Sequence, residues 1–169
     1  VHRLWLKQPI LSIADLDVLK LTKHRDWSAL VIDATYPVEE GIAGMRPRLD
    51  KICEEANIAS KSNQLIILSD RNAGKERVPL SSLLTLGAVH QHLIDTRSRM
   101  KVALIVESAE AREVHHFCVL LGYGADAICP YLALELAKSL RDCGVIDAAC
   151  NDDNIYQNYS YSIQVGINK

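Results

Sequence analysis

Two short apolar runs, each stopped by polar residues that lead toward a helix, constrain the fold more than any other feature of the sequence. The first covers residues 65–68 and is followed by Asp70; the second covers residues 102–106 and ends at Glu107. Consecutive apolar positions rich in β-branched residues are typical of strands buried on both faces of a parallel sheet. Polar residues directly after such strands mark the carboxyl edge of the sheet, where α/β proteins bind their ligands.

The same strand-and-helix unit recurs along the chain. Predicted strands begin near residues 29, 65, 102 and 126, and stretches with three- or four-residue apolar spacing lie between them. An extended entry is predicted to lead into a first helix capped by Ser12, and Pro79 is predicted in the first turn of the helix after the second strand. Later helices are predicted to begin near Ala111 and Ile155. Strands that alternate with helices predict right-handed crossovers and a parallel sheet. Since four units are half of an eight-stranded barrel, we predict an α/β fold, an incomplete β/α barrel of roughly half size. We interpret both ends as cut and expect residues 1–169 to be a single partial domain.

Charge, hydropathy and cysteine spacing narrow the range of functions. A net charge of −2 gives no electrostatic reason to expect a nucleic acid or an anionic membrane as partner. No apolar run approaches the roughly 20 residues that span a bilayer. The five cysteines fit no zinc or iron–sulfur spacing, and we expect most of them to be buried thiols in a reducing compartment.

Two polar clusters could carry chemistry, and each has a structural alternative. Glu107, Glu110 and His115 could form a metal or acid–base site, or the acidic groups could cap the N-terminus of the following helix. The polar stretch of residues 69–72 (Ser-Asp-Arg-Asn) could bind a phosphate or a small polar substrate, or Asp70 and Arg71 could pair with each other or with Glu107. The structural interpretation is favoured for both. His115 and the adjacent His116 point about 100° apart on a helix and cannot both join the first cluster, and no glycine-rich phosphate-binding motif accompanies the second.

Several ordered blocks of the sequence resemble one known family. The blocks include residues 32–38, 65–71, 86–90, 110–116 and 122–128. Together they resemble the central domain of glutamate synthase, the flavin and iron–sulfur enzyme that makes glutamate from glutamine and 2-oxoglutarate. Many blocks in the same order over most of the chain are a more specific signal than a single short motif.

The resemblance implies a part without catalytic residues of its own. In that family the glutaminase domain lies upstream, while FMN and a 3Fe-4S cluster belong to a barrel domain downstream. The central domain is an incomplete β/α barrel that joins these partners and helps to wall the tunnel for ammonia. The resemblance implies no catalytic, cofactor-binding or metal-binding residue within this chain, and a cytoplasmic or organellar location. Candidate tunnel or domain-interface residues are Ser12, Ile13, Asp33, Asp70, Arg71 and Glu107.

Two other hypotheses remain open from the sequence. One is an independent metal-dependent β/α enzyme that uses Glu107, Glu110 and His115. The other is a non-catalytic interaction module. Because the edges of a half barrel are unpaired, we also expect an isolated chain to associate with itself.

Overall fold

The computed structural model describes residues 4–23 and 27–169. The helices are α1 (Ile13–Lys20), α2 (Gly41–Ala59), α3 (Ser82–Asp95), α4 (Val114–Gly122), α5 (Tyr131–Asp142) and α6 (Asp152–Ile167). The strands are β1 (Ala29–Asp33), β2 (Thr35–Pro37), β3 (Leu65–Ser69), β4 (Arg77–Pro79), β5 (Ala103–Glu107) and β6 (Ala127–Cys129). None of the described helices is both long enough and apolar enough to cross a bilayer.

A four-stranded parallel sheet forms the centre of the fold. Its strand order is β1-β3-β5-β6, so each strand lies beside the next one of the same sheet along the chain. A helix connects each pair of neighbouring strands, as right-handed βα crossovers require. This arrangement confirms the predicted α/β class and agrees with a partial β/α barrel.

The N-terminal segment extends this sheet beyond β6. Ile10 forms a parallel bridge with Ile128, and the Leu11 N–H donates to the Ile128 carbonyl over 2.8 Å. The Ile128 N–H in turn donates to the Pro9 carbonyl, also over 2.8 Å. The predicted extended entry to α1 is therefore a fifth, strand-like edge of the sheet, about 120 residues away in sequence from the strand it pairs with.

Side chains alternate between the two faces of the sheet. We call the side that packs against α2, α3 and α4 the outer face, and it buries Ile66, Leu104 and Ile128 completely. The opposite side, which we call the inner face, carries Ile67 and Ile105. It is covered by Leu11 and by the two buried leucines of α1, Leu16 and Leu19. Strands apolar on both faces are what a layer between helices requires.

A small antiparallel ribbon corrects one prediction from the sequence. Pro79 was expected in the first turn of α3, but it ends β4 and lies opposite Thr35 in β2. The α3 helix begins three residues later, at Ser82. Proline, which lacks an N–H, is tolerated in a ribbon of two edge strands. The Arg77 guanidinium strengthens the pairing by donating to the Thr35 hydroxyl over 2.6 Å and to the Thr35 carbonyl over 3.0 Å.

Two helix starts also differ from the sequence predictions. The α4 helix begins at Val114 rather than near Ala111, which is buried in the preceding loop. The α6 helix begins at Asp152 rather than Ile155, because the Asn151 side chain accepts a hydrogen bond from the Asn154 N–H in a reciprocal cap. By contrast, the predicted cap of α1 by Ser12 is confirmed, since its hydroxyl accepts from the Asp15 N–H over 3.0 Å.

The cysteines are less uniformly buried than predicted. Cys53 and Cys129 are buried, whereas Cys118 and Cys143 are exposed and Cys150 is half-buried. Burial raises the pKa of the Cys129 thiol to about 12, with the nearby Glu107 charge adding to the effect. That thiol is therefore an inert part of the core rather than a nucleophile.

Replacing Gly124 by alanine is expected to destabilise the chain by about 2 kcal/mol. Gly124 has a φ of +107°, and an added Cβ would lie 2.1 Å from Nδ1 of His90. The His90 ring cannot easily move away, because the Arg99 Nε donates to it over 3.0 Å. Gly122→Ala is the matched control, since a Cβ there meets no atom within 4 Å. Urea denaturation measures the free energy of unfolding of both variants. An equal loss in the two would show that the close approach of His90 to Gly124 does not limit the side chain at this position.

Candidate functional site

The carboxyl ends of the parallel strands bring a row of polar side chains together. The register places Asp33, Ser69, Glu107 and Cys129 opposite one another on the inner face. Ser12 follows the strand-like segment 9–11 and so lies at the same edge, beyond β6. This edge is where β/α proteins gather ligand-binding groups, as predicted from the sequence.

Glu107 is the most constrained group in the row. Its side chain is only 2% exposed and accepts from the Ser69 hydroxyl over 2.7 Å and from Lys20 Nζ over 3.0 Å. An Arg71 nitrogen lies 3.6 Å from it, which confirms the predicted pairing of these two residues. Because Lys20 stands in the last turn of α1, this buried ion pair fixes α1 over the inner face.

Arg71 links the row to α5. It also forms an ion pair with Glu135, and its guanidinium lies 4.5 Å from the centre of the Tyr131 ring. Burial, together with the nearby Asp70 charge, raises the pKa of the Tyr131 hydroxyl. Arg71 is therefore held on two sides by groups of the chain itself.

Asp70 faces the start of α3 instead of pairing with Arg71. Its carboxylate accepts from the Ala109 N–H over 2.9 Å and lies 3.4–3.5 Å from the Ser82 and Ser108 hydroxyls. Burial raises the pKa of Asp70, and the hydrogen bonds that it accepts offset only part of that rise. Of the two pairings offered by the sequence, Arg71 with Glu107 forms and Asp70 with Arg71 does not, because consecutive side chains leave the strand end in opposite directions.

Asp33 lies at the β1 end of the row. It accepts from the Thr35 N–H over 2.9 Å, from the Thr35 hydroxyl over 2.7 Å and from the Asn72 amide over 3.1 Å. Arg77 lies 3.2 Å away. Partial burial would raise the pKa of Asp33, but these hydrogen bonds and the Arg77 charge outweigh burial and lower it.

The metal cluster that the sequence offered as an alternative does not form. Glu107 points to the inner face, while Glu110 accepts from the Ser82 N–H over 2.7 Å at the start of α3. His115 lines an open cavity of about 470 Å³ between α3 and α4. Across residues 4–23 and 27–169, no three His, Cys, Asp or Glu side chains converge to hold a metal ion. The hypothesis of a metal enzyme built on these three residues is therefore wrong. The alternative, capping of the following helix, is also wrong for Glu110, which caps the preceding helix α3, and α4 has no side-chain cap.

Ser12 and Ile13 take up the opposite end of the edge. The Ser12 hydroxyl caps α1 and donates to the Asp15 carboxylate over 2.7 Å. Ile13 packs, half-buried, against the apolar cluster of the inner face. The six candidate residues thus lie along one edge but do not converge on one point.

Sequence reasoning missed most of the partners that complete this edge. They are Lys20, Arg77, Ser82 and Ser108, whereas Ser69 and Asn72 belong to the polar stretch that the sequence singled out. No local signal marks Lys20, which is 87 residues from Glu107. Ser69 had one usable signal, because it directly follows a buried strand run.

Comparison with known families then places the chain. A family model described as "Glutamate synthase central domain" matches residues 1–169. The chain belongs to this family. The resemblance noted from the sequence blocks is therefore confirmed over the full length of the chain.

Curated relatives of this central domain are large enzymes. Glutamate synthase [NADH] of Schizosaccharomyces pombe is 42% identical over 171 residues, which cover 99% of this chain and 8% of the relative. The glutamate synthase [NADPH] large chain of Bacillus subtilis is 39% identical over all of this chain and 11% of its own length. Ferredoxin-dependent glutamate synthase of Pyropia yezoensis is 34% identical over 97% of this chain. The chain thus spans about a tenth of the length of these relatives.

Proposed function

We propose that this central domain is a non-catalytic wall and connector inside a glutamate synthase. In the proposed reaction, water releases glutamate and ammonia from glutamine at one site. At a second site, ammonia, 2-oxoglutarate and two electrons with two protons give a second glutamate and water. The two electrons come from a reduced nicotinamide or ferredoxin, delivered through FMN and the 3Fe-4S cluster of other domains. The chain joins the glutaminase and FMN-binding domains of one polypeptide in the cytoplasm or an organelle.

One observation carries the proposal: the carboxyl edge of the sheet is occupied by its own partners. Each strand-end carboxylate is neutralised or hydrogen-bonded within the chain, as described for Asp33, Asp70 and Glu107. Side chains held in this way are poor bases or ligands, but they make a rigid surface without free charge. A wall of that kind suits neutral ammonia, which would lose its nucleophilic lone pair on taking a proton from solvent.

The proposal predicts that a larger side chain in the wall uncouples glutamine hydrolysis from the formation of the second glutamate. Ile13→Trp in the parent enzyme should leave glutamine hydrolysis within about twofold, because no catalytic group is touched. Ammonium released to solvent should rise at the expense of the second glutamate. The ratio of glutamate formed to glutamine consumed, measured with the reductant in excess, should fall from two toward one.

Val18→Trp provides the matched control for this experiment. Val18 lies on α1 as well, but its side chain is 68% exposed and faces away from the sheet. The control should keep the ratio near two. If both variants keep full coupling, the N-terminal end of α1 does not wall the tunnel.

A further inference from the structure

Strand β1 ends the main sheet with an unpaired backbone edge. The Ala34 N–H donates to the Ser69 carbonyl of β3 over 2.7 Å. Because backbone groups alternate sides along a strand, the N–H groups of Ala29, Val31 and Asp33 point away from β3. Within the described ranges, no strand pairs with that side of β1.

Arg48 shows that the open side of β1 accepts hydrogen-bonding partners. Its guanidinium donates to the Asp33 carbonyl, which lies on the side away from β3, and is itself held by Glu55 over 2.9 Å. The carbonyl end of the edge is therefore satisfied by α2. Among residues 4–23 and 27–169, none forms a hydrogen bond with the outward backbone groups of Ala29 and Val31.

The side chains of β1 are apolar and partly exposed where the edge is open. Val31 stands in one row with Ile67 and Ile105 of the inner face. Those two side chains are at most 2% exposed, whereas Val31 is 43% exposed and its neighbour Leu30 is 39% exposed. The apolar row thus runs off the edge of the sheet without a cover.

Before Asp33, this edge lacks the devices that usually protect an edge strand. Natural edges carry lysine, proline, a bulge or an inward-pointing charge that blocks pairing with another strand. The four residues from Ala29 to Ile32 have none of these. Such an edge strand can pair with a further strand that places apolar side chains beside Val31 on the inner face.

We propose that the open edge of β1 pairs with a further strand of the same parent polypeptide, contributed from outside this chain. This inference rests on the proposed function, since it requires the larger enzyme. About nine-tenths of each relative's length lies outside the matched region, so the parent has ample sequence to supply a strand. Covalent connection gives such a segment an effective concentration on the order of millimolar, which favours it over a second copy.

Residue-resolved hydrogen exchange in the parent glutamate synthase tests the pairing. The alternation of β1 provides an internal control, because the Ile32 N–H points to β3. We expect the Val31 amide to be protected to within about tenfold of the Ile32 amide. If the Val31 amide exchanges at least about a thousandfold faster than that of Ile32, the edge is open and the proposal is overturned.

Photo-crosslinking identifies the occupant. Leu30 is replaced by p-benzoylphenylalanine in two preparations of the parent enzyme, one at natural isotope abundance and one enriched in ¹⁵N, and the two preparations are mixed before irradiation. We expect the captured peptide to come from outside residues 1–169 and to have the same isotope content as the peptide that carries the crosslinker. A mixed-isotope crosslink would assign the edge to a second copy. That result, a peptide from within residues 1–169, or no captured peptide at all would each overturn the proposal.

The pairing and the proposed function can fail separately. Val31 protection reports only on the edge, whereas the ratio of glutamate formed to glutamine consumed reports on the tunnel wall. Suppose that the Val31 amide is protected but Ile13→Trp does not change the ratio of glutamate formed to glutamine consumed. The proposed strand pairing would then stand, and the proposed tunnel wall would be rejected. An unprotected Val31 with an altered ratio would do the reverse.

Discussion

Replacing Phe117 by alanine is expected to lower the free energy of unfolding by about 3–5 kcal/mol. Phe117 is fully buried in α4, where it packs into the cluster on the outer face of the sheet. Its ring also meets the Tyr159 ring of α6 edge-on, with centroids 6.3 Å apart. The substitution therefore removes a large apolar volume and loosens the contact between two helices.

Urea denaturation followed by circular dichroism measures this loss. Tyr161→Ala is the matched control, because it removes an aromatic side chain from α6 that is 68% exposed. The control should change the free energy of unfolding by no more than about 0.5 kcal/mol. Equal effects of the two substitutions would mean that α4 does not pack against the sheet as described.

Glu107→Ala has the second-largest expected effect, a loss of about 3 kcal/mol. The substitution leaves Lys20 and Arg71 without their shared buried carboxylate and the Ser69 hydroxyl without its acceptor. Removing one partner of a buried ion pair costs more than the pair contributes, because the remaining charge is only partly hydrated. The partial exposure of Lys20 (23%) and Arg71 (39%) keeps the estimate at the low end of the usual range.

Glu135→Ala separates the buried pair from its exposed neighbour. Glu135 binds the same arginine, but both side chains are about 40% exposed, and pairs of that kind contribute less than about 1 kcal/mol. A second test is Glu107→Leu combined with Lys20→Met, which should lose less stability than the two single changes together. If Glu107→Ala is no more destabilising than Glu135→Ala, α1 is not fixed to the sheet by this carboxylate.

The regular part of the fold could be predicted from the sequence because each element carries its own period. The runs at 65–68 and 102–106 became β3 and β5, and their parallel order followed from the helices between them. The β2–β4 ribbon could not be predicted in this way. Its strands have three residues each, too few to show an alternation, and one of them ends in Pro79.

The candidate site was only partly predictable, for a different physical reason. Parallel register explains why Asp33 and Glu107 share one edge. The direction of each side chain decides which partner it contacts, and this direction changes from one residue to the next. Glu107 therefore turns to Lys20 and Ser69 while Glu110, three residues later in an irregular loop, turns to α3. Closeness in sequence alone had suggested a metal cluster as one alternative for them.

The pairing of the first described residues with β6 has a consequence for synthesis on the ribosome. The partner of residues 9–11, Ile128, is made about 120 residues after them, which takes about 6–24 s at usual translation rates. The Tyr156 hydroxyl, which donates to the Ile10 carbonyl, follows later still. During that interval the apolar side chains of Ile10 and Leu11, which the folded chain buries, have no sheet beside them. We expect this stretch to be the segment that chaperones hold on the nascent polypeptide.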